Sequence, residues 1–390
     1  RGSLEAAALA AVGVRNALLV TAAELPAWPG DAARPDGKRS LVPETRMAAA
    51  SVAIGPALPG PVQSVAAAPL GPAAGAGHLV AASDDRGAGV LLRLRWDDEA
   101  GAIAAGPGLE GVHAEIAPSP KRARPAPADD AAIVWGADRS ASLPSWSGLS
   151  WGCPSGQGRP DHLAVTTSLG RVTRILDAET GAERTRFLHQ LAPTAVRHLG
   201  PDTIVVAEWG SLSIWDVRQG KGVRPAARLV PERTAIVALD TCLDDGTVSF
   251  VGEARTIVNV DARTWRSSRA WKPPLKYDAV GLRLSQRDVF VAGLDNELVG
   301  VCRAVQSAPK RAGHDRSLSR EPGATPQSVP IGSLLHHNRR MFRSEARWAG
   351  FDVEPAQGLD PAVFVGLTAS GIVYGGLYDT AAGLAKGEPA

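Results

Sequence analysis

The sequence predicts an all-β protein, a closed β-propeller of seven four-stranded blades with long irregular rim loops. Three observations point there. Short strands rich in Val and Ile alternate with turns built from Gly, Asp and Asn along most of the 390 residues. One strand–turn–strand unit recurs six times, at about 40-residue spacing where it runs uninterrupted, which is the period of propeller blades. No segment sustains the 3.6-residue apolar period of a long helix.

The units can be read in order. His78 to Trp96 (HLVAASDDRGAGVLLRLRW) has a longer turn from Asp84 to Gly89. His162 to Asp177 (HLAVTTSLGRVTRILD) turns at Ser168-Leu169-Gly170, then continues through Ala178-Glu179-Thr180-Gly181 into a third strand, Arg184 to Leu188. Val172 and Ile175 break strict alternation there, which implies either a bulge or burial of both faces. Thr203 to Asp216 (TIVVAEWGSLSIWD), Thr247 to Asp261 (TVSFVGEARTIVNVD), Asp288 to Val301 (DVFVAGLDNELVGV) and Val363 to Leu377 (VFVGLTASGIVYGGL) repeat the pattern. Each unit alone exposes an apolar face, and radial stacking buries it. A seventh blade would draw on Asn16 to Ala22 and Ala48 to Ile54, with an N-terminal strand completing the C-terminal blade.

The domain division follows: residues 1–60 as N-terminal strands plus a loop, 61–384 as the blades, and 385–390 as a tail. Insertions at about 97–130 and 303–330, and a third stretch from Pro26 to Pro43, are rich in Pro, Gly and polar residues. Such compositions bury too little apolar surface to offset ordering entropy, so they are expected to be rim loops.

Ile214-Trp215-Asp216-Val217-Arg218 resembles the WD-repeat (WD40) family, in which the Trp-Asp dipeptide ends the third strand of a blade. With the strand–turn–strand units, the resemblance spans most of Pro61 to Leu377. This blade departs from the family in lacking a Gly-His pair before its first strand and in having Trp209 where a turn Asp is common. The family's hydrogen-bond network is therefore not carried over. Ile175 to Gly181 also resembles the blade-closing repeat of quinoprotein-type propellers, with an echo at Val260 to Thr264. Both resemblances imply a propeller.

Charge and chemistry narrow the function. Lys plus Arg number 42 against 40 Asp plus Glu, a net charge of +2 that gives no strong nucleic-acid signal but leaves room for a local basic patch. No apolar run reaches the ~18 residues of a membrane helix. The three cysteines, Cys153, Cys242 and Cys302, form no CxxC pair and suggest free thiols in a reducing compartment. Templates for a nucleophile elbow, a zinc protease, a P-loop and a dinucleotide fold are all absent. His336-His337 would point to opposite sides of an extended strand, and the Asp pairs fall in turns, where Asp is a backbone cap. No enzyme activity, cofactor or metal is expected.

Two segments suggest partners. Lys121, Arg122 and Arg124, flanked by Pro120 and Pro125, have the pattern of a nuclear import signal, with a solvated loop as the plainer reading. The WD-repeat resemblance implies that Trp215, Asp216 and Arg218 are protein-interaction candidates, in the manner of propellers that dock to cullin-4 ubiquitin ligase adaptors. The plainer reading packs Trp215 between blades and leaves Arg218 in solvent. The leading expectation is an intracellular scaffold, nuclear or cytoplasmic, binding other proteins of a multi-subunit complex. A ubiquitin ligase substrate receptor and a quinoprotein-like enzyme or cofactor binder are the alternatives.

Overall fold

A computed structural model describes residues 7–14, 17–24, 45–46, 50–54, 58–69, 77–97, 102–105, 133–137, 143–152, 160–219, 224–230, 233–243, 245–273, 275–285, 288–302, 339–344, 346–354, 362–369 and 373–378. Every regular element among them is a β-strand. The chain divides into two compact units, one comprising Arg1–Glu24 and Met47–Ile236, the other Leu25–Arg46 and Val237–Ala390.

The first unit opens with a three-stranded sheet of β1 (Ala7–Val14), β2 (Ala17–Glu24) and β4 (Ala50–Ile54), β3 (Thr45–Arg46) being part of the other unit. A five-stranded sheet follows, with β5 (Val62–Pro69), β6 (Gly77–Asp84), β7 (Gly89–Asp97) and β8 (Ala102–Ala105) in order and β9 (Ile133–Trp135) also on β7. Two four-stranded antiparallel meanders complete it. The first is β10 (Ser147–Gly152), β11 (His162–Thr167), β12 (Val172–Asp177) and β13 (Glu183–Leu188). The second is β14 (Pro193–His198), β15 (Thr203–Glu208), β16 (Ser211–Asp216) and β17 (Ala227–Leu229).

The second unit holds three more four-stranded sheets. They are β18 (Ile236–Cys242), β19 (Thr247–Gly252), β20 (Ile257–Asp261) and β21 (Arg266–Trp271); then β22 (Ala279–Leu284), β23 (Asp288–Gly293), β24 (Glu297–Cys302) and β25 (Arg339–Arg343). The last contains β26 (Trp348–Glu354), β27 (Ala362–Thr368) and β28 (Val373–Tyr378), with β3 as its fourth strand. Tyr374 pairs with Arg46 and Gly375 with Thr45.

The fold is thus all-β, with five four-stranded blades in a propeller-like arrangement. The expected seven such blades reduce to five among the described residues, because the two N-proximal sheets have three and five strands. Within the first expected insertion, residues 102–105 pair as β8; the remainder of both insertions and the 26–43 stretch lie outside the described residues.

Packing between blades explains the strand sequences. In β11 all six residues are buried, and in β12 five of six, so both faces are covered and alternation is not required. The β12–β13 pairing also carries a register shift at Ile175/Leu176. Ala164, Ile175 and Phe187 of one blade pack with Val196, Ile204, Val206 and Trp215 of the next. In the second unit Val251 and Ile257 meet Leu282, Val289, Val291 and Val299, and Phe290 and Leu298 meet Trp348 and Val353. Full burial of each such side chain contributes roughly 1.5–3 kcal/mol. Trp135, Trp151, Trp215 and Trp348 are the buried indole anchors, and each N–H finds an acceptor at 3.0–3.1 Å.

Gly152 shows how closely the blade edges fit. It lies opposite His162, and a Cβ there would stand 2.1 Å from His162 Nε2. Because the imidazole is buried against Asp161 and the ring of His198, it has little room to yield. Gly152→Ala is expected to cost about 1–3 kcal/mol through overpacking, read as a fall in urea midpoint.

The neighbouring His198 sets an acid limit. Burial, then the nearby His162 and Arg197, pushes its pKa well below the ordinary 6.5. The folded protein therefore leaves it neutral where the unfolded chain takes up a proton. Below pH 6.5 the unfolded state binds more protons, so stability falls as pH falls, by about 1.4 kcal/mol per pH unit for one group. Urea titrations from pH 7 to 5 should show this slope in the unaltered protein and a shallower one in His198→Gln.

Candidate protein-interaction face

A buried polar network joins the two complete blades of the first unit. His189 opens the link from β13 to β14, Glu208 ends β15, and Ser213 and Trp215 share one face of β16 by their two-residue spacing. His189 Nδ1 lies 3.0 Å from Glu208 Oε1, and its Nε2 lies 2.7 Å from Thr173 Oγ1 on β12. Thr173 in turn pairs with Thr166 of β11 at 2.8 Å. Ser213 Oγ donates to Glu208 Oε1, and Trp215 Nε1 donates to Ser213 Oγ at 3.0 Å. The other carboxylate oxygen accepts from Arg228 at 3.2 Å and from the Leu191 backbone N–H at 3.3 Å.

Burial pushes the Glu208 carboxyl up, but the hydrogen bonds from His189 and Ser213, with lesser contributions, hold it below the usual carboxylate value. Its ionised form is what the network stabilises. A polar network of this kind, buried and paired throughout Glu208, rigidifies whatever it carries. What it carries is a surface. The 189–192 link and the 208–211 turn are both pinned by Glu208.

That surface is the strand end bearing the β6–β7, β11–β12 and β15–β16 turns. Backbone bonds stitch it together: Ser145 N–H to Asp85 O at 2.7 Å, Ser168 N–H to Trp146 O at 2.9 Å, and Ile236 N–H to Trp209 O at 2.8 Å. Arg171 Nη1 adds a bond to Gln190 O at 3.2 Å. Large apolar side chains stand exposed there, among them Leu143 (61%), Leu169 (57%), Trp209 (54%) and Leu191 (43%), with Leu188 and Val230 at the ends of the outer strands. Trp209 also occupies the left-handed region, with φ 55°. A bulky residue in that region costs on the order of 1 kcal/mol or more, which Gly or Asn would avoid. The same left-handed conformation recurs at the turn residues Arg171, Arg255 and Trp265, so it belongs to the hairpins, and what sets Trp209 apart is its exposed indole.

Polarity on this end is one-sided. The carboxylates of Asp84, Asp85 and Glu208 are buried. Asp84 caps the β6–β7 turn by accepting the N–H groups of Gly60, Arg86 and Ala88, and burial, its largest influence, raises its pKa. Arg86 and Arg171 are exposed, and neither has an ion-pair partner among the described residues.

The residues singled out from sequence fall elsewhere. Trp215 is buried, stacked on Phe187 at 4.9 Å and edge-on to His189 at 5.3 Å. Asp216 and Arg218 lie at the opposite end of the same blade. Arg218 forks onto Asp216 with bonds of 3.0 and 2.9 Å, and its Nε is 3.7 Å from Asp202. The Arg218 hydrogen bonds hold the Asp216 carboxyl below its usual range. The same fork recurs in the second unit, where Arg263 grips Asp261 with two bonds of 3.3 Å. Arg184 grips Asp177 similarly, at 3.1 and 2.8 Å. These pairs brace third-to-fourth-strand turns whose backbone the Asp already caps. Asp177 within the quinoprotein-like segment is committed to that cap, and Gly181 supplies the positive φ of 66° that the turn needs. Lys121, Arg122, Arg124, His336, His337 and Cys153 lie outside the described residues, while Cys242 is buried and in no disulfide. No three His, Cys, Asp or Glu among the described residues are grouped to hold a metal.

Sequence reading missed His189 and Glu208. Leu188, not Gly, precedes the histidine, and the acid stands one residue before Trp209 rather than in its place. A search for any His followed by a carboxylate at a strand end about twenty residues later would have found them.

Compared with known proteins, the chain matches no family model and no curated protein. What fold and site define together is a protein of β-propeller blades, compatible with a WD40-type fold, that presents a braced apolar and basic face.

Proposed function

We propose that this chain is a degenerate WD-repeat propeller that acts as a non-catalytic scaffold, binding another protein through the face formed by Leu169, Leu191 and Trp209. The observation that carries the reading is Trp209, exposed at a strained turn that a buried network holds in place. Rigid aromatic anchors ringed by aliphatic side chains supply much of the energy of protein interfaces. The buried ionic cluster below them is the fixed support that such a surface needs.

The test is affinity capture of the tagged chain from its own cells, comparing the unaltered protein with a Trp209→Gly/Leu191→Ala double variant and with Arg218→Ala. Stoichiometric partners lost from the double variant and retained by Arg218→Ala are the expected result. Partners lost only from Arg218→Ala would move the interface to the opposite end, as adaptor docking requires. A bare chain in every sample would overturn the scaffold reading. Arg218→Ala should leave the thermal midpoint unchanged, because its guanidinium is an exposed brace.

A further inference from the structure

The two ends of the first unit's blades differ in how their arginines are used. At one end Arg184 and Arg218 are each gripped by aspartate, so their charge is spent locally. At the other, Arg86 and Arg171 are exposed and lack a carboxylate among the described residues, Arg171 touching only the Gln190 carbonyl. The acids that could have paired with them are buried: Asp84 within its own turn, Glu208 within the network. Among the described residues, an end that buries its carboxylates and displays guanidiniums together with Leu169, Leu191 and Trp209 is complementary to one chemistry.

Resting on the proposed interaction face, we infer that its occupant is an acidic segment of a partner protein, carrying Asp or Glu interleaved with large apolar side chains. The apolar residues would lie against Trp209, Leu169 and Leu191, and the carboxylates would fork onto Arg86 and Arg171, the geometry guanidinium favours. Complementary charge of this kind selects the partner and speeds encounter, while the buried aromatic anchor holds it. Phosphodiester backbones fit less well. A chain of net charge +2 neutralises few phosphates, and apart from Trp209 the exposed large apolar residues of this end are aliphatic and do not stack on bases.

Panning a random dodecapeptide phage library on the full chain tests this, with a dT oligonucleotide as the second probe. The expected outcome is enrichment of net-negative peptides containing Leu, Ile, Phe or Trp. Synthetic copies should bind at least ~10-fold more weakly to Trp209→Gly and to Arg86→Glu/Arg171→Glu, weaken with added salt, and bind Arg218→Ala normally. Trp209→Gly keeps the left-handed turn, and circular dichroism checks that each variant is folded. Enriched peptides that are neutral or basic, or that ignore the charge reversal, overturn the acidic assignment. If captured cellular partners still depend on Trp209, the interaction face itself stands. Binding of the dT oligonucleotide, lost on the same charge reversal, overturns the inference in favour of nucleic acid. No enriched peptide also overturns it, and joined to a bare chain in the capture experiment it removes the scaffold reading as well.

Discussion

Trp215→Ala should lower the stability of the first unit by about 4 kcal/mol, the largest effect of any single substitution considered. The indole is buried between two blades, stacked on Phe187 and bordered by Ile204 and Val206. Removing it opens a cavity at the blade junction and takes away the donor to Ser213, whose hydroxyl belongs to the Glu208 network. Strands hydrogen-bonded along their length cannot close that space without giving up ladder bonds. Urea unfolding followed by far-ultraviolet circular dichroism gives the midpoint without relying on tryptophan emission, which nine remaining indoles of the original ten would blur. Trp215→Phe should recover most of the packing but not the hydrogen bond. A loss under about 1 kcal/mol for the alanine variant would contradict the packing described.

Glu208→Ala is expected to cost about 3 kcal/mol, nearly as much, for an electrostatic reason. Its carboxylate accepts from His189, Ser213, Arg228 and the Leu191 backbone; the alanine variant takes the acceptor from the first two and from the Leu191 N–H, whereas Arg228 keeps Gln190 and Ser211. Glu208→Gln keeps the shape and one acceptor oxygen, so an intermediate loss is expected. Because the folded carboxyl is held below its usual 4.5, its contribution is present above that pH and disappears as pH falls through the folded value. The alanine variant should therefore lose part of the acid sensitivity of the unaltered protein below pH 4.5. Amide exchange at Leu191 should quicken, since its N–H partner is gone. The two substitutions strike one network, so their combination should cost less than the sum.

Blade architecture was legible because turn chemistry and apolar runs coincide at each hairpin. Thr203 to Asp216 became β15 and β16 with its turn at Trp209-Gly210, and Thr247 to Asp261 became β19 and β20. The first strand, Ala7–Val14, gives little local strand signal, because alanine has low β propensity and only pairing with β2 draws it into a sheet. The candidate site was less legible. Trp209 drew notice only as a missing turn Asp, and its exposure depends on hairpin geometry. The Glu208 network joins residues from three strands and a link, with spacings set by stacking of blades rather than by any local period. For Arg218 the dipeptide was legible, but the fork by which it braces its own turn on Asp216 was not.

The strand β3 has one more consequence, for how the chain can be made. Residues 25–46 belong with 237–390, whereas 1–24 and 47–236 belong together, so the polypeptide crosses between units twice before residue 50 and again near 236. During synthesis Thr45 and Arg46 must wait for Tyr374 and Gly375, more than 300 residues further along the chain, on the last of the described strands. The loop entropy of so long a closure grows only logarithmically, so the delay is kinetic rather than a loss of final stability. Termination before residue 373 would leave that blade without both its third and fourth strands. A single cut near residue 236 would leave the C-terminal fragment short of β3, the strand that its last blade requires, which stays on the N-terminal piece.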